Sequence, residues 1–253
     1  RRMKQPSCIL WDLDGVLVDS TRYHYEAFRM LLEELGRSLD EETFRTQLLG
    51  LRNDAILTRL LGPLPQEEMA RLAQRKEESF RRLIAGRVRP LPGAVELVKE
   101  AQALGIPQAI VSSTPKANIE AILTALGTRE AFACLVGEED VTKGKPDPEG
   151  FLLAASRLGC SPASCTVVED APEGVEAARR AGMRCLAVAT TRPPDRLREA
   201  HLVVPSLAHP SARAFLLLGE GGSDLSSSGR WPPPPPAPGQ TRGGAGPSKG
   251  LAR

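Results

Sequence analysis

Long apolar runs are missing from this chain. Stretches such as Ala214–Leu218 stop after a few residues, far short of the roughly 20 that a membrane-spanning helix requires. The apolar stretch Cys8–Trp11 ends at Asp12, too short for the apolar region of a signal peptide. An excess of one charge is missing too: 33 Lys and Arg face 31 Asp and Glu, a formal net charge of +2. Four of those basic and two of those acidic side chains fall in residues 219–253, which leaves 29 of each sign in the first 218. So balanced a body argues against a nucleic-acid or membrane-surface binder. The five cysteines, Cys8, Cys134, Cys160, Cys165 and Cys185, are odd in number and contain no CxxC pair. They read as small buried hydrophobes, not as a disulfide framework. These absences together predict a cytoplasmic protein. No internal repeat occurs either.

What is present is ordinary for a soluble globular protein: 253 residues, 41% hydrophobic and 25% charged. A chain of this size can bury about three quarters of its unfolded surface. The last 35 residues break from that composition. They hold 9 of the 23 glycines and 7 of the 22 prolines, with five consecutive prolines at Pro232–Pro236. Such a stretch cannot bury enough apolar area to offset its chain entropy, so 219–253 is predicted to be a disordered tail.

Upstream, short apolar runs alternate with helical patterns. Strands are predicted at Ser7–Trp11, Pro107–Val111, Phe132–Val136, Cys165–Val168, Arg184–Val188 and His201–Val204. Helices are predicted at 93–104, 116–126, 148–158 and 173–181, each closed by a glycine one residue later. That alternation predicts an α/β fold with a Rossmann-like, doubly wound parallel sheet. Between the first strand and the rest lies a block with helical spacing only, at 21–35, 53–61 and 66–85, with Asp40 as a helix N-cap. The predicted organisation is a core of 1–18 and 89–218, an inserted helical cap at 19–88, and the tail.

Ligands of such sheets bind outside the carboxyl ends of the strands. Asp12 and Asp14 follow the first apolar run. Ser112, Ser113 and Thr114 follow the second. Lys143 and Lys145 precede the helix at 148, and Glu169 and Asp170 follow the fourth run. One rim therefore gathers four carboxylates, a hydroxyl cluster and one or two lysines. Crowded carboxylates need a counter-charge to stay ionised, and a hard cation such as Mg2+ takes oxygen ligands and accepts phosphate oxygens beside them. The set suits phosphoryl transfer.

These residues carry a resemblance. Asp12-Leu-Asp14-Gly-Val-Leu-Val-Asp19-Ser20 resembles the first motif of the haloacid dehalogenase-like hydrolases, DxDGxxxDS. Ile110-Val-Ser112 is similar to their second motif, Gly144-Lys145-Pro146 to the third, and Val168-Glu169-Asp170 with Pro172-Glu-Gly174-Val to the fourth. All four occur in order, over about residues 7–206. The resemblance implies that Asp12 is the nucleophile and Asp14 the general acid and base. It implies that Ser112, with Ser113, binds phosphate and that Lys145 offsets charge. Mg2+ would be held by Asp12, the backbone carbonyl of Asp14, Glu169 and Asp170, with Glu169 either a direct ligand or one step behind. Asp14 also argues against dehalogenation, where an acid for an alcohol leaving group is not needed. Lys143 reads as a solvated neighbour and Asp19 as a hinge or cap residue.

The helical insertion resembles the small cap of the β-phosphoglucomutase and phosphoglycolate phosphatase group. His24 sits near the hinge, and Arg52 and Lys76 are candidate cap contacts to substrate, each with a solvated helix face as its alternative reading. The expected function is a Mg2+-dependent phosphatase for a small phosphorylated metabolite, a sugar phosphate or phosphoglycolate-like ester, through an aspartyl-phosphate. A β-phosphoglucomutase-type mutase is the alternative, and a catalytically idle binding module a remote one. No nucleic acid or membrane partner is expected, and the chain is expected to be a monomer or weak dimer.

Overall fold

The structure is a computed structural model that describes residues 8–49 and 51–219. The predicted tail, from residue 220 on, lies outside the described residues. Six strands form one sheet: β1 Cys8–Trp11, β2 Gln108–Val111, β3 Cys134–Val136, β4 Cys165–Glu169, β5 Arg184–Val188 and β6 Leu202–Val204. Their order is β3-β2-β1-β4-β5-β6, and every pairing is parallel. The sheet is covered on both faces, which is why its strands are apolar almost throughout.

Side chains alternate between two cores, as a period of two requires. Ile9, Trp11, Ile110 and Val168 face one core, together with helices α5 Ala94–Ala103 and α6 Lys116–Ala125. Cys8, Leu10, Val111 and Val167 face the other, against α7 Glu149–Arg157 and α8 Pro172–Arg180. Cys8, Cys165 and Cys185 are fully buried in that second core, and no disulfide forms among the described residues. Trp11, buried in the first, still satisfies its indole: Nε1 donates to Gln108 Oε1 at 2.9 Å, and Gln108 Nε2 donates to the Val98 carbonyl.

The segment between β1 and β2 is helical: α1 Thr21–Glu34, the single turn α2 Glu41–Thr43 running into a wider turn at Phe44–Leu48, α3 Asn53–Leu61 and α4 Gln66–Ile84. Asp40 caps α2, its carboxylate accepting from the Thr43 amide. This block has a core of its own around Phe28, Leu32, Phe44, Leu57 and Leu72. Its two connections to the sheet meet each other, Val18 pairing with Pro90. The short helix α9, Pro210–Arg213, follows β6. No helix among the described residues is long and apolar enough to cross a membrane.

Three predicted strands are shorter than expected, the run from Pro107 being strand only from Gln108. The run from Phe132 starts as strand only at Cys134, because Arg129–Ala131 closes a 3-10 turn that Phe132 terminates. His201 stays outside β6, its Nδ1 accepting from the Cys185 amide at 3.1 Å.

Candidate active site

The central strand β1 lies where the chain direction across the sheet reverses, with β2 on one side and β4 on the other. That is where an open α/β sheet leaves a crevice at its carboxyl edge. Asp12 extends β1 by one residue, its amide donating to the Val168 carbonyl at 2.9 Å. Ser112 extends β2 in the same way, its amide donating to Val136 at 3.0 Å. The chain then turns at Gly15, whose φ is +81°. A side chain there would collide with the Asp170 carboxylate as well as strain the backbone. The turn brings Asp14 back over the edge, where Oδ1 accepts the Ser20 hydroxyl.

Lys145 knits the edge together. Its three N–H donors all find acceptors: Asp12 Oδ1 at 2.9 Å, the Val111 carbonyl at 3.1 Å and Glu169 Oε1 at 2.5 Å. Burial alone would lower its pKa, but Asp12 and Glu169 outweigh that and raise it, so the ammonium stays charged. Glu169 is buried at 1% exposure. Its Oε2 accepts from the Asp170 amide at 3.0 Å. Gly174 leaves the space it occupies, since a Cβ there would meet that carboxylate. Asp170 Oδ2 accepts the Thr191 hydroxyl.

Oxygens of Asp12, Glu169 and Asp170 come within 4.8 Å of one another. Burial and the Asp12 charge push Glu169 up to about 7, against the pull of Lys145. Burial, Asp12 and Glu169 push Asp170 up to about 8. Three carboxylates thus share one ammonium. The missing charge and the all-oxygen donor set both fit a hard divalent cation such as Mg2+. The carboxylate of Asp14 stands apart from this trio. Burial is the main reason its pKa rises to about 6, with Ser20 pulling it down and Asp12 pushing it up.

A cavity of about 430 Å³ opens above this edge. Asp12, Asp14, Ser112, Ser113, Lys145, Glu169 and Asp170 line one end, and Phe28, Phe44, Leu51, Arg52 and Lys76 line the other. Lys76 is not on a solvated face. It is 2% exposed, with Nζ 2.8 Å from both His24 Nδ1 and Glu77 Oε1. An ammonium cannot accept, so His24 Nδ1 carries the lone pair and Nε2 the proton. Burial and then the Lys76 charge hold the His24 pKa well below the usual value, and its ring stacks on Phe80 at 4.0 Å. Arg52 is half-exposed at the rim, 3.7 Å from Asp54. Lys143 is exposed, as expected. Ser112 does not cap the following helix; its Oγ accepts from the Thr114 amide. Asp19 Oδ1 accepts from the Thr21 amide at the start of α1.

Sequence reasoning missed Glu77, Asn118 and Thr191. Glu77 is 6% exposed and Asn118 fully buried. The signal for Lys76 was there: Leu72, Lys76, Phe80 and Ile84 recur every four residues along the buried stripe of α4. Asn118 likewise begins the buried stripe of α6, with Ile119 and Ile122.

Residues 6–182 match the haloacid dehalogenase-like hydrolase family. The chain is 33% identical over 210 residues to the validoxylamine A 7'-phosphate phosphatase of Streptomyces hygroscopicus subsp. limoneus, covering 78% of this chain and 92% of that protein. It is also 33% identical over 200 residues to the chloroplastic 5-amino-6-(5-phospho-D-ribitylamino)uracil phosphatase of Arabidopsis thaliana. That match covers 78% of this chain but 54% of the relative, so the chain spans about half of its length. Among solved structures, a β-phosphoglucomutase from Clostridium difficile superposes with a TM-score of 0.71 at 29% identity, covering 81% of this chain and 92% of that one.

Proposed function

The chain belongs to the haloacid dehalogenase-like hydrolases, and from that premise we propose that it is a Mg2+-dependent phosphatase of a small phosphorylated metabolite. The observation that carries the reading is the convergence on one sheet edge of Asp12, Asp14, Ser112, Lys145, Glu169 and Asp170 around a single cavity. Two relatives at 33% identity are named as phosphatases of phosphorylated metabolites. The substrate is an ester of the sugar-phosphate or phosphoglycolate kind, and the helical block at 19–88 acts as a cap that closes over it.

Asp12 attacks phosphorus with one carboxylate oxygen. The P–O bond to the leaving alcohol breaks as Asp14, held by Ser20, gives that oxygen its proton. Asp14 then takes a proton from the water that attacks the aspartyl-phosphate, releasing phosphate and restoring Asp12. An Asp14 pKa near 6 suits a group that must both give and take a proton close to neutral pH. Lys145 and Ser112 hold the transferring group and offset its charge. Bound by Asp12, Glu169, Asp170 and the carbonyl of Asp14, Mg2+ would supply charge stabilisation and a template for the phosphate oxygens.

A mutase needs a second firm grip on phosphate at the far end of the cavity. Of the cations there, Arg52 is half-exposed and already faces Asp54, and Lys76 is already bonded to Glu77 and His24, which favours hydrolysis. The test is phosphate release with Mg2+ across phosphoglycolate, hexose 6-phosphates and β-glucose 1-phosphate, with EDTA and Asp12→Asn as controls. Release that needs both Mg2+ and Asp12 is expected. Conversion of β-glucose 1-phosphate to glucose 6-phosphate after priming with a bisphosphate, without net release, would favour the mutase. Release unaffected by Asp12→Asn would overturn the enzyme reading.

A further inference from the structure

One buried carboxylate of the helical block bonds to the sheet unit, beside the apolar packing of Phe80 and Ile84 against its core. Glu77 Oε1 accepts from Lys76 Nζ at 2.8 Å and from Asn53 Nδ2 at 2.7 Å. Its Oε2 accepts from Asn118 Nδ2. Glu77 therefore joins α3, α4 and α6. Asn118 is oriented from all sides, because its Oδ1 accepts from Arg81 Nη1 at 3.0 Å and its Nδ2 also donates to Thr114 Oγ1 at 2.9 Å. Among the described residues, every side-chain hydrogen bond from α3 or α4 to the sheet unit ends on Asn118. Thr114 in turn bonds Ser112 through its amide. An unbroken chain of contacts thus runs from the hydroxyl loop at the catalytic edge to the ammonium at the far wall of the cavity.

A buried carboxylate that is fully bonded fixes a geometry, whereas half of such a network left unpaired is strongly unfavourable. Lys76 depends on Glu77 in this way: it lies over the Phe28 ring at 4.7 Å, and among the described residues Glu77 is the one carboxylate bonded to it. Burial alone would raise the Glu77 pKa, but Lys76, Asn118 and Asn53 outweigh it and hold it below the usual value.

We infer that Glu77 is a positioning residue, the latch that holds α3 and α4 against α6 and keeps Lys76 aimed into the cavity. This rests on the phosphatase reading only for its consequence for turnover; the latch is a property of the fold. The far wall of the cavity is assembled only while the latch is made. Esters whose alcohol part reaches that wall depend on it, and a minimal phosphoryl donor does not.

Two measurements test it on the full chain, with Glu77→Gln, which keeps size and removes charge, and Asn118→Ala, which removes the partner in α6 and leaves the Lys76–Glu77 pair in place. The first is amide hydrogen exchange, which needs no activity. Both variants should speed exchange in α3 and α4 by about tenfold or more while β1, β2 and β4 keep wild-type protection. Unchanged exchange in α3 and α4, or an equal rise in the sheet, would overturn the inference. The second is steady-state kinetics. For p-nitrophenyl phosphate kcat/KM should fall about tenfold, mostly through KM, and for acetyl phosphate by less than about threefold. The double variant should be no worse than the poorer single one. A proportional loss on both substrates would mean a merely structural residue. If Asp12→Asn released phosphate like the wild type, the phosphatase reading would fall, and the exchange result would still decide the latch.

Discussion

At the edge of the sheet, Lys145 is the sole ammonium bonded to Asp12 and Glu169 among the described residues. Lys145→Ala removes both bonds and the charge that offsets the transferring phosphoryl group. It should lower kcat/KM by about 100-fold or more, measured by phosphate release at saturating Mg2+. Thr191 lines the cavity, and its hydroxyl bonds Asp170 Oδ2. Thr191→Val should weaken Mg2+ binding about 10-fold or more, read by titration calorimetry in the absence of substrate. The pH dependence of that binding has a definite sign. Glu169 and Asp170 are raised to about 7 and about 8, and a cation takes the ionised form. Mg2+ affinity should therefore rise with pH up to about 8 and flatten above it. Binding at pH 7 should release protons, seen as a calorimetric heat that varies with the ionisation enthalpy of the buffer. Affinity that falls as pH rises over this range would contradict the account. At this scale the gathering of these residues on one sheet edge was legible, because they sit in short motifs at strand ends. Glu77 and Thr191 were not. A charge inside Lys-Glu-Glu reads as a solvated helix face, and a threonine in a loop reads as a turn residue, until the elements they reach are known.

Elements were legible wherever period and punctuation agreed. Glycines with positive φ close α1 and α5–α8 within two residues of the helical pattern's end, at Gly36, Gly105, Gly127, Gly159 and Gly182, and each follows a run with apolar side chains at helical spacing. The register of α4 was the harder inference. Lys76 occupies the same stripe as Leu72, Phe80 and Ile84, and its burial follows from that spacing despite its charge. Phe80 carries the stripe: it is fully buried, and the His24 ring stacks on it at 4.0 Å. Phe80→Ala should cost about 3–5 kcal/mol of stability, measured by denaturant unfolding. It should also loosen His24 and Lys76 together. A loss below about 1 kcal/mol would mean that α4 is not packed as described. The residues around Phe44–Leu48 were not legible as an element, since one short turn running into a wider one has no sequence period to read.

For the whole molecule, the arrangement turns on where the helical block is inserted. It leaves the sheet directly after the central strand and returns before β2, with Val18 and Pro90 paired at the two crossings. The block lines the far wall of the cavity, and the strand ends line the other. The parallel alternation and the inserted block followed from the sequence. The strand order did not, because neither strand spacing nor helix length says on which side of β1 the later strands are added.

In the proposed reaction Asp12 carries the phosphoryl group during turnover. This is tested most directly by rapid acid quench during turnover of the preferred ester, followed by mass spectrometry of the Asp12 peptide. The account predicts a phosphoryl group on Asp12 in the wild type, absent from Asp12→Asn and absent when EDTA is present. Turnover at full rate with no phosphorylated peptide, or with the label on another residue, would contradict it.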